Sequence, residues 1–274
     1  MSEATTKRPL LVLYFVLAYA FSWVIEIPLA AVAQGFLDLR IPFALHYLTA
    51  FGPLLAAFIV TGIGDGSEGI RDLVARMLKW RVGLGWVLIA VFSPLVLFVI
   101  GAVAAYVLSG SWPDFSLLGE VNFLPYLGIG AWILRTLTNG FGEGTGWRGY
   151  ALPRLQKNRS ALSATLILGV FWALWHLPAF FYLPNLMEIG LASFPLFAIG
   201  VVTGAVLLTW LYNSTGGSIL MVSLWHGSFN FVTASGAGQG IVAAIASNLV
   251  IVWAVILVVM FKPANLSHRT RYVL

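Results

Sequence analysis

Residues 82–108 read VGLGWVLIAVFSPLVLFVIGAVAAYVL, a run of 27 residues without a charged side chain. The hydrocarbon core of a bilayer is about 30 Å thick, and a helix of about 20 apolar residues crosses it. A continuous apolar run of this length is typical of a membrane-spanning helix. The stretch therefore predicts that the chain crosses a membrane.

The composition extends this prediction to the rest of the chain. Of the 274 residues, 60% are hydrophobic and only 9% are charged, whereas a soluble domain carries about 25% charged residues. Every backbone amide in a bilayer core must be paired internally, which leaves helical bundles or closed barrels. The apolar runs are long and continuous rather than short and alternating, so the helical bundle is favoured.

We predict an all-α polytopic membrane bundle with about eight transmembrane helices in one domain, residues 10–262. Ala31-Val32-Ala33 resembles a signal-peptidase site, but the first apolar run exceeds the ~7–15 residues of a signal core. Glu26 and Pro28 also interrupt that run, so a retained span is favoured. The predicted spans lie at about 10–33, 41–63, 82–108, 123 towards 142, 161–182, 191–212, 218–232 and 241–261.

The segment before the third span has a different, amphipathic pattern. Apolar residues recur at helical spacing over 70–78, while basic residues occupy the other face. This pattern predicts an amphipathic helix lying on the anionic cytoplasmic leaflet. Its apolar residues are Ile70, Leu73, Val74, Met77 and Leu78, and its basic residues are Arg71, Arg76, Lys79 and Arg81.

The basic residues also predict the orientation. With eight spans and both termini in the cytoplasm, 13 of the 15 Lys and Arg residues fall on the cytoplasmic side, as the positive-inside rule requires. Residues 1–9 and 263–274 are then cytoplasmic segments. The net charge of +5 is spread over these segments, so no nucleic-acid surface is predicted. The 13 residues are Lys7, Arg8, Arg71, Arg76, Lys79, Arg81, Arg148, Arg154, Lys157, Arg159, Lys262, Arg269 and Arg271.

An acid and a base stand among glycines in Gly142-Glu143-Gly144-Thr145-Gly146-Trp147-Arg148-Gly149-Tyr150. Ionisable residues inside apolar runs are costly and are functional candidates by default. On an ideal helix, five residues rotate a side chain by roughly 140°, so Glu143 and Arg148 would not share a face. The glycines make this stretch a poor helix interior, which predicts a break or hinge. We expect the backbone at 142–148 to line a polar cavity within the membrane.

Two further clusters contain imidazoles. One is Trp172-Ala173-Leu174-Trp175-His176, and the other places His226 four residues before Asn230 on one helix face. A carboxylate and an imidazole can activate water, and His and Asn donors can stabilise an oxyanion. The alternative is that each group is an interhelical hydrogen-bonding residue. Glu143, His176 and His226 are also an acceptable set of zinc ligands.

Several other polar residues of the spans are first interpreted as internal pairing groups, with Glu26 and Arg135 as one conceivable pair. Serine catalysis has weak support, because Ser223 and Ser228 lie near His226 without an acid–base partner. The remaining pairing groups are His46, Asn139 and Asn248.

Three motifs in this order resemble those of the CPBP family, the CAAX-protease and bacteriocin-processing membrane endopeptidases. The first is Gly142-Glu143-x-x-Gly146-Trp147-Arg148-Gly149-Tyr150 with Leu152-Pro153-Arg154-Leu155, the second is Trp172-x-x-x-His176, and the third is His226-x-x-x-Asn230. The resemblance covers about residues 120–235. The family's first motif begins with two adjacent glutamates. Glu143 matches the first of them, and Gly144 replaces the second.

The resemblance implies an intramembrane endopeptidase of the bacterial cell membrane that acts on a membrane-associated protein or peptide. Glu143 and His176 would activate water, while His226 and Asn230 would hold the oxyanion. Arg148 and Trp172 would orient the site or contact substrate. Family members have been described as glutamic proteases and as metalloproteases; the metal-free mechanism is favoured, with zinc as the alternative cofactor. The loss of the second glutamate leaves a catalytically impaired scaffold or immunity protein as the alternative, and a transporter is weaker because no inverted repeat is visible.

Overall fold

The fold is described from a computed structural model, which gives the backbone of residues 3–274 and the side chains of residues 10–274. The side chains of the predicted cytoplasmic segment 1–9, including Lys7 and Arg8, lie outside the described residues.

Within the described part, the chain is helical and contains no strand, which confirms the all-α prediction. Short helical turns connect eight longer helices. These are α1 (Glu3–Ala33), α2 (Gly52–Met77), α3 (Leu84–Ser109), α4 (130–156), α5 (Ala161–Trp175), α6 (Phe194–Ser214), α7 (Ile219–Thr233) and α8 (Ile241–Asn265).

Six helical segments of the described chain are long and apolar enough to cross a membrane, so the predicted number of eight is not confirmed. The other two are α4 and α7. With 15 residues, α7 is about 22 Å long at 1.5 Å per residue, less than the roughly 30 Å of a hydrocarbon core. The segments are Leu10–Ala33, Phe43–Met77, Leu84–Ser109, Ala161–Phe181, Leu191–Ser214 and Ile241–Asn265.

The predicted amphipathic helix is not a separate element. It continues α2 beyond a kink at Gly66, whose φ of 63° is non-helical. Arg76, predicted on the outer basic face, is buried and donates hydrogen bonds to the Gly149 carbonyl oxygen at 2.7 Å and to the Tyr212 hydroxyl at 2.9 Å. The sequence pattern was misleading here because a guanidinium can also be buried when it donates hydrogen bonds to groups on other helices.

Helices α4 and α7 lie side by side in the bundle. Helix α2 packs on one side of α4, α3 packs against α7, and α1 packs against α2. Helices α5 and α6 pair with each other, and α8 contacts α3 and α6. The two helices that carry most of the predicted site therefore pack among the apolar helices of the bundle.

The predicted hinge in the glycine-rich stretch is absent. Helix α4 runs through it as an α-helix over Gly130–Arg135, a π-helix over Thr136–Glu143 and Thr145–Ala151, and an α-helix over Leu152–Gln156. A Cβ atom at Gly142 would lie 2.5 Å from the Ala50 carbonyl oxygen, and one at Gly146 would lie 2.5 Å from that of Pro53. These glycines permit close helix packing, which the sequence pattern alone did not distinguish from a hinge.

The predicted cytoplasmic tail folds back onto the bundle. Tyr272 donates its backbone N–H to the Asn213 Oδ1 atom at 3.2 Å, and its carbonyl oxygen accepts from Gln156 Nε2 at 2.8 Å. Arg271 donates to the Gln156 carbonyl oxygen at 2.9 Å, and Leu266 is fully buried. The end of the chain therefore fixes the carboxyl end of α4 against α6.

Replacing Gly146 by alanine is expected to destabilise the bundle, because the new methyl group collides with the Pro53 carbonyl group. Overpacking of this kind costs about 1–3 kcal/mol, so the midpoint of thermal unfolding in detergent should fall. The matched control is Gly200→Ala in α6, where nothing lies within 4 Å of the added atom. That change should be neutral or stabilising, since alanine is favoured over glycine in helices by roughly 0.5–1 kcal/mol. Equal midpoints for both variants would contradict the close-packing interpretation.

Candidate active site

A cavity of about 170 Å³ lies between α4, α5 and α7. Glu143, His176 and Asn230, which the sequence places on three different helical segments, all line it. Arg148, Trp172 and His226 are not among its lining residues. Its polar lining comes further from Glu26, His46, Tyr47, Thr49, Asn122, Arg135, Thr138, Asn139 and Asn185.

The carboxylate of Glu143 is 1% exposed and has two hydrogen-bond donors. Asn139 Nδ2 donates to its Oε1 atom at 2.9 Å, and Trp172 Nε1 donates to its Oε2 atom at 2.6 Å. Each carboxylate oxygen can accept a second hydrogen bond. The carboxylate is therefore fixed from α4 and α5 and retains capacity for a water molecule.

His176 follows directly on α5, at the carboxyl end of that helix. Its Nδ1 atom lies 2.7 Å from the Trp172 carbonyl oxygen. Because a carbonyl oxygen only accepts, Nδ1 carries the proton, and Nε2 of the neutral ring is left as an acceptor. The rings of Trp175 and Phe197 pack against the imidazole, with centroids 4.8 and 5.4 Å away.

Glu143 lies far from both ends of its helix. Helix α4 continues beyond Glu143 to Gln156, so the carboxylate lies in the interior of the helix. His176, at the carboxyl end of α5, can therefore line the same cavity. Of the stretch 142–148, which was predicted to line a polar cavity with an irregular backbone, Glu143 alone lines the cavity, and it does so from a continuous helix.

Arg148 is fully buried, and its Cζ atom lies 4.0 Å from the ring centroid of Trp172. Among the described residues, none of its three guanidinium nitrogens has a hydrogen-bond partner. The expectation that Glu143 and Arg148 point to different faces was wrong, because both contact the Trp172 indole. Hydrogen bonding from i to i+5 in the π-helical turns brings residues five apart closer to one face than an ideal α-helix does.

On α7, His226 packs edge-on against Trp172, with ring centroids 5.4 Å apart. Its Nδ1 atom is buried and has no hydrogen-bond partner in the described part of the chain. Asn230, one turn later, reaches the cavity itself. The hydroxyl oxygen of Ser228 accepts a hydrogen bond from Trp132 at 2.9 Å, so this serine is not paired with a base.

The predicted alternative of a zinc site does not fit this arrangement. Among residues with described side chains, no group of three or more His, Asp or Glu lies close enough to hold a metal ion.

Two comparisons with known proteins bear on this site. Residues 123–232 match the family model described as Type II CAAX prenyl endopeptidase Rce1-like. A 195-residue alignment with CAAX prenyl protease 2 of the archaeon Methanococcus maripaludis shows 24% identity and covers 66% of this chain and 70% of that protein.

The matched range of 110 residues is therefore similar to the CAAX-type membrane proteases. The matched range contains Glu143, His176, His226 and Asn230. It ends within α7 and therefore excludes α8, whereas α1, α2 and α3 precede it.

Gly144 replaces the second glutamate of the CPBP motif at a crowded position. The residue is helical, and a Cβ atom there would meet Ser223 Oγ at 3.3 Å and Val222 Cγ1 at 3.5 Å. Without a glutamate at position 144, the guanidinium of Arg148 stacks on the indole ring of Trp172. Cation–π contact of this kind contributes about 2 kcal/mol when desolvated.

Two polar residues in and near this site were missed from the sequence: one was given only a structural role, and the other was not singled out. Asn139 was interpreted as a pairing group, yet it donates directly to Glu143. Its spacing of four residues before Glu143 is the signal that could have identified it. Tyr182 was not singled out; its hydroxyl lies 2.7 Å from His46 Nδ1 and donates to Glu26 at 3.2 Å. No local pattern connects these three distant residues.

Changing Trp172 to phenylalanine is expected to destabilise the protein, because the Glu143 carboxylate loses its indole hydrogen-bond donor. The phenyl ring still fills most of the space of the indole, so the loss of packing is small. A hydrogen bond to a charged group is worth about 1.5–3 kcal/mol. Trp175→Phe is the matched control, since the Trp175 Nε1 atom has no hydrogen-bond partner among the described residues. Chemical denaturation in detergent should show the larger loss for Trp172→Phe. If both variants lose the same free energy of unfolding, the indole does not hold the carboxylate.

Proposed function

We propose that this chain is an intramembrane endopeptidase that hydrolyses a peptide bond with water activated by Glu143 and His176. The observation that supports this most is the convergence of Glu143, His176 and Asn230 on one cavity within a bundle of membrane helices. The family match supports protease activity in general. The particular roles of these residues are our proposal.

In the proposed reaction, a water molecule lies between the Glu143 carboxylate and the His176 imidazole. His176 Nε2 accepts one hydrogen of the water and orients it, and Glu143 removes the other as general base. The water oxygen then bonds to the carbonyl carbon of the substrate. When the carbon–nitrogen bond breaks, the proton held by Glu143 passes to the leaving amine, so that the enzyme returns to its initial state.

The carbonyl oxygen of the substrate becomes negatively charged in the tetrahedral intermediate. We propose that the Asn230 amide and the His226 imidazole donate hydrogen bonds to it. Support for this comes from Asn230, which lines the cavity; His226 does not line it and supplies a buried, unpartnered Nδ1 atom beside Trp172. Prepositioned donors of this kind stabilise a developing oxyanion without reorganisation. Arg148 and Trp172 are proposed to hold the carboxylate and the two imidazoles in place.

We further propose that the protein acts in a bacterial cell membrane with both termini in the cytoplasm, on a membrane-associated protein or peptide. The distribution of Lys and Arg supports this orientation. The name of the archaeal relative refers to prenylated CAAX proteins. That name describes the relative, and the substrate class proposed for this chain is membrane-associated polypeptides.

Glu143→Gln should abolish hydrolysis, because an amide cannot accept the proton of the water. Loss of a general base lowers the rate by about 100- to 10,000-fold. The measurement is cleavage of a peptide library by the protein reconstituted in vesicles, analysed by mass spectrometry. Glu188→Gln is the matched control, since Glu188 is exposed on the connection between α5 and α6, and it should cleave as the wild type does.

Three results of this experiment would contradict the proposal in different ways. Cleavage that survives Glu143→Gln rules out the assigned base. Loss of cleavage on chelation, restored by added zinc, replaces the metal-free mechanism. No cleavage by the wild type, with the fold intact, favours a catalytically impaired scaffold.

A further inference from the structure

Two cationic side chains from distant parts of the chain meet at the turn between α6 and α7. Lys79 Nζ donates a hydrogen bond to the Gly216 carbonyl oxygen at 2.6 Å. A Cβ atom added at Gly216 would lie 3.1 Å from Lys79 Nζ and 3.4 Å from Arg269 Nη1. The separation of the two nitrogens therefore cannot exceed the sum of these distances, about 6.5 Å.

This pair of cations has no acid of its own among the described residues. Asp72 interacts with Lys79, but its carboxylate already forms an ion pair with Arg76 at 2.8 Å. The guanidinium of Arg269 forms no ion pair or hydrogen bond within the described part of the chain. Burial and the neighbouring Arg269 lower the pKa of Lys79 below its usual value. Like charges this close repel each other unless an anion lies between them.

The pair lies at the depth of the lipid head groups. Lys79, Gly216 and Arg269 each follow, within four residues, the end of a helical segment that is long and apolar enough to cross a membrane. The next side chain after Lys79, Trp80, is 63% exposed, and the Arg81 guanidinium lies over its ring, 5.2 Å from the centroid. Exposed tryptophan is typical of the interface between membrane and water.

We propose that Lys79 and Arg269 bind the phosphate group of an anionic membrane phospholipid. A phosphate accepts hydrogen bonds on several oxygens, so it can bridge an ammonium and a guanidinium group. Basic residues next to membrane spans attract anionic lipids. Inorganic phosphate offers the same chemistry, but a lipid carries its phosphate to this depth. Leu78 and Leu84, which flank the segment 79–83, are exposed apolar side chains available to the acyl chains.

A bound phosphate would also fasten the end of the chain. Arg269 belongs to the tail after α8, whereas Lys79 follows α2, so the ligand connects the two. Three residues further on, the ring of Tyr272 covers the same turn, because a Cβ atom added at Gly217 would lie 2.9 Å from it. The backbone of Tyr272 is bonded to Gln156 and Asn213. The lipid is therefore expected to stabilise the docking of the tail on α4 and α6, whether or not the protein is a protease.

The test measures lipid binding to the protein in detergent by native mass spectrometry. Phosphatidylglycerol and phosphatidylcholine with identical acyl chains are titrated, and the ratio of their affinities is determined. The wild type should prefer phosphatidylglycerol. Lys79→Gln and Arg269→Gln should each lower the ratio about fivefold, which is the contribution of one basic residue near an anionic lipid. Lys79→Arg keeps the charge and should keep most of the preference.

The matched control is Lys157→Gln, because Lys157 is an exposed cation between α4 and α5 and removes the same charge. Its ratio should equal that of the wild type. Loss of the Lys79 hydrogen bond to Gly216 could destabilise the turn. Arg269→Gln has no such effect, because no described residue is bonded to this guanidinium. The ratio also compares two lipids on one preparation, so a partly unfolded fraction does not change it.

Hydrogen exchange of residues 266–274 gives a second measurement. Phosphatidylglycerol should slow exchange in this segment of the wild type, and the double variant Lys79→Gln/Arg269→Gln should show no such protection. Inorganic phosphate, compared with chloride at the same ionic strength and without lipid, should leave exchange unchanged. Protection by inorganic phosphate that the double variant loses would overturn the lipid assignment and identify free phosphate as the ligand.

Two results of the lipid titration would overturn the site itself. If the affinity ratio is the same in the wild type and in both Gln variants, the pair does not bind the head group. If Lys157→Gln lowers the ratio as much as Arg269→Gln does, the preference is a general effect of surface charge.

Discussion

The carbonyl oxygens of Ala50 and Pro53 occupy the space that side chains at 142 and 146 would need. This close approach brings α4 into the interior of the bundle and encloses Glu143 almost completely. A carboxylate taken out of water is costly unless hydrogen bonds compensate for the lost hydration. The two donors from Asn139 and Trp172 meet that requirement, so the packing of the glycines and the hydrogen bonding of the carboxylate depend on each other.

Trp172 is the residue through which the parts of the site are connected. Its indole N–H donates to Glu143, its carbonyl oxygen accepts from His176, and its ring contacts Arg148 and His226. One side chain from α5 therefore touches groups on α4 and α7. A small rotation of α5 would change its three contacts with α4 and α7 together.

The sequence was sufficient for features that depend on long local patterns. Continuous apolar runs predicted an all-helical membrane bundle, and three short motifs predicted the similarity to CAAX-type proteases that the comparisons find. The pattern was insufficient where neighbouring helices decide the outcome. Arg76 was placed on a basic outer face because its helix also carries Arg71, Lys79 and Arg81, yet contacts with Gly149 and Tyr212 bury it.

The glycine-rich stretch shows the same limit more clearly. Glycine lowers intrinsic helix stability, and the stretch was therefore predicted to bend. In the bundle, the neighbouring backbone stabilises a helical path that only glycine permits, so the local preference is overruled by packing. The π-helical turns follow from this tertiary setting, and no periodicity in the sequence encodes them. The orientation of Arg148 towards Trp172 could not be predicted for that reason.

Four ionisable side chains of the interior, Glu26, Arg135, Glu143 and Arg148, form no ion pairs with one another among the described residues. Each is bonded or stacked against a neutral neighbour. Because Asn139, Tyr182 and Trp172 hold them apart, they leave oriented donors and acceptors for the proposed polypeptide substrate.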